Sequence, residues 1–170
     1  MRMPGRKFWI PFLLLVAWFG GRYWYFTPSV ATEDLAADFL AVRADGRAFR
    51  LSDLRGQHVL LDFWGSWCGP CRRESPTLRA VNEQFADRLT VVSVALERDS
   101  SSWQRALRQD GRDWPHQVMD RTGSLKFLSG EIADRYGVKQ VPTNFLIDPE
   151  GRVVGVNVAL ESLQLAKPTE

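Results

Sequence analysis

The two cysteines of this chain lie in one short motif that directly follows an apolar stretch. The motif is Trp67-Cys68-Gly69-Pro70-Cys71, and the apolar stretch covers residues 59–64. A continuous apolar run is typical of a strand buried on both faces, and a proline suits the first turn of a helix. The sequence therefore predicts a buried strand, a tight loop and a helix that begins at Cys68.

The spacing of the cysteines suits a disulfide that forms and breaks. Free N–H groups and the positive dipole end at the start of a helix stabilise a thiolate, so we expect the pKa of Cys68 to lie below its ordinary value. Cys68 is then the nucleophile, and Cys71 is the resolving thiol. Gly69 and Pro70 would start the helix and constrain the approach of the two sulfurs. A Cys68–Cys71 disulfide closes almost no loop, which argues against a purely structural bridge.

Zinc binding is the main alternative for a cysteine pair of this kind. A closed zinc site needs four ligands, and His58 and His116 are the only histidines left to complete one. Neither histidine has the spacing of a ligand pair. We therefore expect no metal at this motif.

Composition is that of one ordinary globular domain behind a separate N-terminal segment. Of the 170 residues, 45% are hydrophobic and 25% are charged. The formal net charge is only +2, and much of it lies before the apolar segment. Without a basic patch, we expect no nucleic-acid partner.

The N-terminal segment is predicted to be a signal anchor. Residues 8–26 are mostly apolar, end in an aromatic cluster and follow Arg2, Arg6 and Lys7. Basic residues before such a segment keep the N-terminus in the cytoplasm and place the chain beyond Thr27 outside. A cleaved signal peptide is the alternative, because 29–31 are small residues. Both alternatives place the domain outside the cytoplasm.

The rest of the chain alternates strand and helix patterns. We expect a transmembrane helix in residues 1–26, a linker in 27–37 and one domain in 38–170. The domain should open with a hairpin around Asp45-Gly46. The predicted elements that follow are a helix over 69–88, a strand over 89–96, a helix over 101–110, an extended piece over 115–119, a helix over 131–136, strands over 145–147 and 153–156, and a helix over 160–166. This order predicts an α/β sandwich around a mixed sheet.

Several motifs in this order resemble the thioredoxin superfamily. They are residues 62–71, Pro76, 136–138 and Val141-Pro142-Thr143. Residues 38–39, 51–56 and 72–76 narrow the resemblance to the membrane-anchored TlpA/ResA-like thiol-disulfide oxidoreductases. The resemblance covers Asp38 to about Leu163.

What the resemblance implies is a thioredoxin-like three-layer sandwich without a bound cofactor. The family passes electrons from a thiol electron-relay protein in the membrane to disulfides of exported proteins, in some members for cytochrome c maturation. The domain would face the periplasm or the cell exterior.

The resemblance also assigns roles to residues outside the cysteine pair. The proline that matches Pro142 is cis and lies beside the dithiol, which would expose the backbone of Val141 to a substrate strand. Thr143 is carried over only as its neighbour. Independently of the resemblance, the aromatic side chain of Trp67 is expected to shield the thiols and offer a surface to partners, with simple packing as the alternative.

Asp62 is the third candidate catalytic residue, after the two cysteines. An acid inside a buried strand must be protonated, paired or retained for function. It matches the buried acid of thioredoxins, so we expect it to accept the proton of Cys71, directly or through water. Ser93 occupies the position where thioredoxin has a lysine near that acid.

The direction of electron flow is predicted to be reductive. A Gly-Pro pair beside a buried acid favours the reducing end of the superfamily, with an oxidant or isomerase as the alternative. A peroxiredoxin-like peroxidase is a further alternative, but its cysteine follows Pro and Thr in a different spacing. A copper-handling protein would need a wider cysteine spacing and a histidine near Pro142.

Overall fold

A five-stranded mixed sheet forms the centre of the computed structural model, which describes residues 6–125, 128–163 and 165. The helices and strands are α1 (Arg6–Phe26), β1 (Leu40–Val42), β2 (Ala48–Arg50), β3 (His58–Trp64), α2 (Gly69–Gln84), β4 (Leu89–Glu97), α3 (Ser100–Gln109), β5 (His116–Arg121), α4 (Glu131–Tyr136), β6 (Thr143–Ile147) and β7 (Val153–Val156). Single 3-10 turns cover Leu51–Leu54 and Leu160–Ser162.

The strand order places β3 in the middle of the sheet. The order is β5-β4-β3-β6-β7, and β1 with β2 forms a separate antiparallel hairpin. Strand β3 is parallel to β4 and antiparallel to β6. Because α2 carries the chain from β3 to the parallel strand β4, the cysteine motif lies at the carboxyl end of the central strand.

Alternate side chains of β3 face two different layers of the molecule. Leu60 packs in one apolar cluster with Leu78 and Val81 of α2. Leu61 and Phe63 belong to another cluster, which includes residues of α4 and the hairpin. The sheet therefore lies between two covering layers, which confirms the predicted three-layer sandwich with its N-terminal hairpin.

Two helix ends differ from the prediction. Helix α2 ends at Gln84 rather than near Arg88, because Phe85 leaves the helical conformation while its side chain stays buried in the core. Only a 3-10 turn forms over Leu160–Ser162, after which Leu163 is extended. The remainder of the predicted final helix includes residues 164 and 166, which lie outside the described residues.

The segment expected to be a linker packs against the domain before Asp38. Backbone hydrogen bonds join residues 33–36 to residues 151–153, and Ala36 is buried in the core. Ser29 lies against Gly137, where an added Cβ would collide with the Ser29 hydroxyl. The packed part of the chain thus begins several residues earlier than its polar composition indicated.

Helix α1 exposes large apolar side chains along its length, among them Trp9, Leu14 and Trp18. Within the described ranges 6–125, 128–163 and 165, no helix combines the length and apolar character that crossing a bilayer requires. The division into anchor, linker and domain stays a prediction.

Candidate active site

The two cysteines lie at the start of α2, joined by a disulfide. Cys68 is the N-cap residue and Pro70 is in the first turn. The backbone N–H of Cys71 points at Cys68 Sγ, 3.2 Å away. In the reduced protein the same N–H and the helix dipole would stabilise a thiolate on Cys68. The structure thus places the predicted nucleophile at the predicted helix terminus.

The two sulfurs are unequally placed relative to solvent. Cys71 is fully buried, whereas Cys68 keeps 5% of its surface exposed at the edge of the apolar cluster that holds both. A partner can therefore reach Cys68 first. This arrangement fits an attacking Cys68 and a resolving Cys71.

The loop before β6 lies directly against the nucleophile. The Val141–Pro142 peptide bond is cis, and the carbonyl oxygen of Val141 is 3.8 Å from Cys68 Sγ. Thr143 is buried, and its hydroxyl donates to the Gln140 carbonyl at 2.9 Å. Thr143 thus supports the loop from inside, and the Val141 backbone is the part of the loop nearest the disulfide.

Trp67 forms the exposed rim of the site. Its side chain is 42% exposed, and its indole N–H donates to the Leu96 carbonyl at 2.8 Å. A Cβ on Gly65 would lie 2.6 Å from the indole nitrogen, so the absence of a side chain there allows the ring to fold back over the loop. The position agrees with a surface that meets partners.

Glu97 holds the same loop from the end of β4. Its buried carboxylate accepts the backbone N–H of Ser66. Burial raises the pKa of Glu97, and the hydrogen bonds from Ser66 oppose that rise. The sequence alone does not single out Glu97, because its partner Ser66 lies on a different element.

Asp62 is buried and paired. Its Oδ2 accepts from Ser93 Oγ at 3.0 Å and from Arg112 Nη1 at 2.8 Å. The expected pairing of the buried acid is thus present. Its expected role as proton acceptor for Cys71 stays a prediction.

Arg112 is a second site residue that the sequence did not reveal. It lies in the loop between α3 and β5, and its side chain has 0% exposure. An arginine next to Gly111 and Asp113 looks like a solvated loop residue. The one available signal was indirect: a buried acid whose neighbour on the next strand is Ser93 rather than lysine needs a cation from elsewhere.

A cleft opens on the other side of the cis-proline loop. Its volume is about 300 Å³, and its lining includes Glu74, Pro142, Asn144 and Glu161. Burial raises the pKa of Glu74, the negative charges of Asp62 and Glu161 raise it further, and Arg112 opposes the rise. The pKa of Glu74 in this cleft therefore lies above that of an ordinary glutamate.

Metal-binding geometry is absent from the described part of the chain. No group of three or more His, Cys, Asp or Glu side chains within it is arranged to hold a metal ion. The chemistry that the described site offers is exchange at the two sulfurs.

Comparison with known proteins agrees with this geometry. The AhpC/TSA family matches residues 32–156. The chain is 32% identical over 129 residues to the thiol-disulfide oxidoreductase ResA of Bacillus subtilis, covering 75% of this chain and 68% of that protein. It is 33% identical over 146 residues to ResA of Geobacillus thermodenitrificans, covering 83% of this chain and 79% of the relative.

Solved structures show the same likeness. The thioredoxin domain of a thiol-disulfide oxidoreductase from Bacteroides vulgatus aligns with a TM-score of 0.68 at 30% identity, covering 76% of this chain and 90% of that domain. A Chlorobium tepidum protein that carries the name thiol:disulfide interchange protein DsbE aligns with a TM-score of 0.68 at 34% identity, covering 76% of this chain and 86% of its own.

Proposed function

The chain belongs to the AhpC/TSA family, among its ResA-like thiol-disulfide oxidoreductases, and from that premise we propose that it reduces disulfides of exported proteins outside the cytoplasm. One observation carries the proposal: the Cys68–Cys71 pair lies at a helix start beside the cis Val141–Pro142 loop. The exposed edge of Cys68 and the backbone of Val141 together accept an extended peptide that carries a disulfide.

The reaction is two successive exchanges at sulfur. The Cys68 thiolate attacks one sulfur of the substrate disulfide, a mixed disulfide forms, and the other substrate sulfur leaves as a thiolate that takes a proton. Cys71 then loses its proton and attacks Cys68 Sγ. The Cys68–Cys71 bond forms, the second substrate thiol is released, and two electrons have passed to the substrate.

The reductive direction is supported by the surroundings of the resolving thiol. A buried Asp62 and a Gly-Pro pair between the cysteines favour the reducing end of this superfamily. The oxidised dithiol is then reduced again by a membrane protein with its own thiol pair. That donor meets the same exposed edge of Cys68, because Cys71 is fully buried.

The proposed location depends on helix α1. Its exposed apolar side chains and the basic residues Arg2, Arg6 and Lys7 support attachment to the cytoplasmic membrane with the domain outside. Membrane fractionation tests this location. Full-length protein in the membrane fraction supports attachment, and a shortened protein in the soluble fraction supports cleavage.

Trapping tests the activity and names the partner. In a Cys71→Ser variant, we expect Cys68 to hold its substrate as a mixed disulfide that accumulates in cells and disappears on reduction. The matched control is Cys68→Ser, which should trap nothing. No adduct with Cys71→Ser, or adducts only with Cys68→Ser, would contradict the assigned order of the thiols.

The steady redox state decides the direction. For a reductase, the wild-type dithiol should be mostly reduced in growing cells, as seen by alkylation of the acid-quenched protein. A mostly oxidised wild-type protein would instead support the oxidant alternative.

A further inference from the structure

We propose that Arg112 is a positioning residue for the resolving step: through Asp62 and the backbone of Cys71, its buried positive charge favours the thiolate of Cys71. No part of Arg112 touches the substrate. The inference concerns Cys71 alone, so it holds whether the protein reduces or oxidises its partners.

The first observation is the set of hydrogen bonds around one guanidinium group. Arg112 Nε donates to Ser75 Oγ at 2.9 Å, Nη1 to Asp62 Oδ2 at 2.8 Å and Nη2 to the Cys71 carbonyl at 3.2 Å. One planar guanidinium group is therefore hydrogen-bonded both to Asp62, the buried acid of β3, and to Cys71, which carries the resolving sulfur. Asp62 and Cys71 are held on the same cation.

The second observation is the stacking of that cation on the wall of the dithiol cluster. The guanidinium carbon lies 3.8 Å from the ring centroid of Trp64. Trp64 in turn belongs to the apolar cluster that contains both cysteines. Arg112 is thus fixed against the cluster that contains both sulfurs.

Burial strengthens the electrostatic interactions between these groups. The Arg112 side chain is 0% exposed and that of Asp62 is 3% exposed, so water screens their charges poorly. Without a paired cation, the buried negative charge of Asp62 would oppose ionisation of the Cys71 thiol. The guanidinium of Arg112, paired with this carboxylate, offsets the effect of its negative charge on the thiol. Its hydrogen bond to the Cys71 carbonyl also brings positive charge close to the residue that ionises.

The consequence lies in the second exchange. Cys71 must give up its proton before it attacks Cys68 Sγ, and the substrate sulfur leaves as that bond forms. A greater thiolate fraction on Cys71 at neutral pH makes this step faster. Arg112 would act on this step without contacting the substrate.

The test is a titration of Cys71 by thiolate ultraviolet absorbance in the full chain carrying Cys68→Ser. In that background we expect Arg112→Met to move the Cys71 midpoint up by about one pH unit, because a nearby positive charge is lost. Asp62→Asn should move it down, because a negative charge is lost. Opposite shifts are the signature of charge, since loosened packing would move both variants in the same direction.

Two further variants complete the comparison. Arg112→Lys keeps the charge and should restore most of the wild-type midpoint. Arg72→Met is the matched control, because Arg72 follows Cys71 on α2 and forms a 2.8 Å ion pair with Asp110, while its own side chain is 38% exposed. Its loss should leave the Cys71 midpoint unchanged.

Arg112→Met leaves the charge of Asp62 buried without a cation, which can prevent folding, so a second comparison is included. If it does not fold, Asp62→Asn is compared with the double variant Asp62→Asn/Arg112→Met, which buries neither charge. The double variant should titrate higher than Asp62→Asn by about one pH unit.

A kinetic measurement links the titration to function. With both cysteines present, release of a peptide thiol from the Cys68 mixed disulfide at neutral pH should slow by up to about tenfold in Arg112→Met. An unchanged Cys71 midpoint in folded Arg112→Met, or shifts of the same sign in Arg112→Met and Asp62→Asn, would overturn the inference. Neither result depends on trapping in cells, so failure of the proposed reductase function would be seen separately.

Discussion

At the residue scale, the loop before Cys68 depends on a glycine that makes room for an indole. We predict that Gly65→Ala lowers kcat/KM for protein disulfides several-fold, because its Cβ would meet Trp67 at 2.6 Å and displace the ring from the Leu96 carbonyl. Loss of that hydrogen bond should also lower the free energy of unfolding by about 1 kcal/mol. Steady-state kinetics and urea unfolding measure the two effects.

Gly123→Ala is the control for that substitution, because a Cβ at Gly123 would meet no atom of the described residues within 4 Å. It should leave both quantities unchanged. If Gly65→Ala reduced protein disulfides as fast as the wild type, the position of Trp67 would be irrelevant to partner recognition.

Glu97 gives a pH-dependent prediction at the same scale. Burial raises its pKa in the folded protein, so the fold favours its protonated form. The stability it contributes is fully present below the ordinary glutamate pKa and is lost as pH rises through the raised pKa. Glu97→Gln keeps an acceptor for the Ser66 N–H and removes the charge, so the variant should lose less stability than the wild type between acidic and neutral pH.

Urea unfolding at a series of pH values measures this difference. Asp120 also has a pKa raised by burial, so part of the pH dependence should remain in Glu97→Gln. The control is Glu83→Gln on the exposed face of α2, which should follow the wild-type curve. Parallel curves for Glu97→Gln and the wild type would contradict the prediction.

At the element scale, α4 is held by a residue outside the helix. Its N-cap residue is Gly130, which offers no side-chain acceptor. Asp120 of β5 replaces the missing cap: its Oδ2 accepts from the N–H groups of Ile132 and Ala133, both at 2.9 Å. The helix ends at Gly137 in the left-handed conformation and leads into the loop of Val141 and Pro142.

We predict that Asp120→Ala lowers the free energy of unfolding by about 1–2 kcal/mol, the usual loss for a helix cap. Asp120→Asn keeps one acceptor and should lose less. Chemical unfolding with Asp87→Ala, an exposed carboxylate, as control measures the difference. Equal stabilities of Asp120→Ala and the wild type would show that the N-terminus of α4 needs no cap from β5.

At the scale of the whole molecule, the sequence predicted what depends on local pattern. Strand β3 and helix α4 were found because apolar runs and a terminal glycine act over a few neighbouring residues. Arg112 was missed because its contact with Asp62 spans 50 positions along the chain. Residues 33–36 were assigned to a linker because their polar composition does not reveal that they pair with residues 151–153.

That pairing leads to a prediction for the whole chain. The apolar clusters of the described residues contain Val30 and Ala36 but nothing from α1. Removing residues 1–26 should therefore leave the free energy of unfolding and the disulfide-reducing activity unchanged while releasing the protein from membranes. Removing residues 1–37 should lower the free energy of unfolding by about 2–4 kcal/mol, because three backbone hydrogen bonds and the burial of Ala36 are lost.

Urea unfolding of the two shortened proteins, compared with the full chain in detergent, separates the contributions of α1 and of the packed segment. The activity of the shorter protein should fall only to the extent that it unfolds, because residues 27–37 lie outside the dithiol site. Equal stability of the two shortened proteins would mean that residues 33–36 follow the domain without stabilising it. A loss of stability on removing residues 1–26 alone would instead make α1 part of the folded unit.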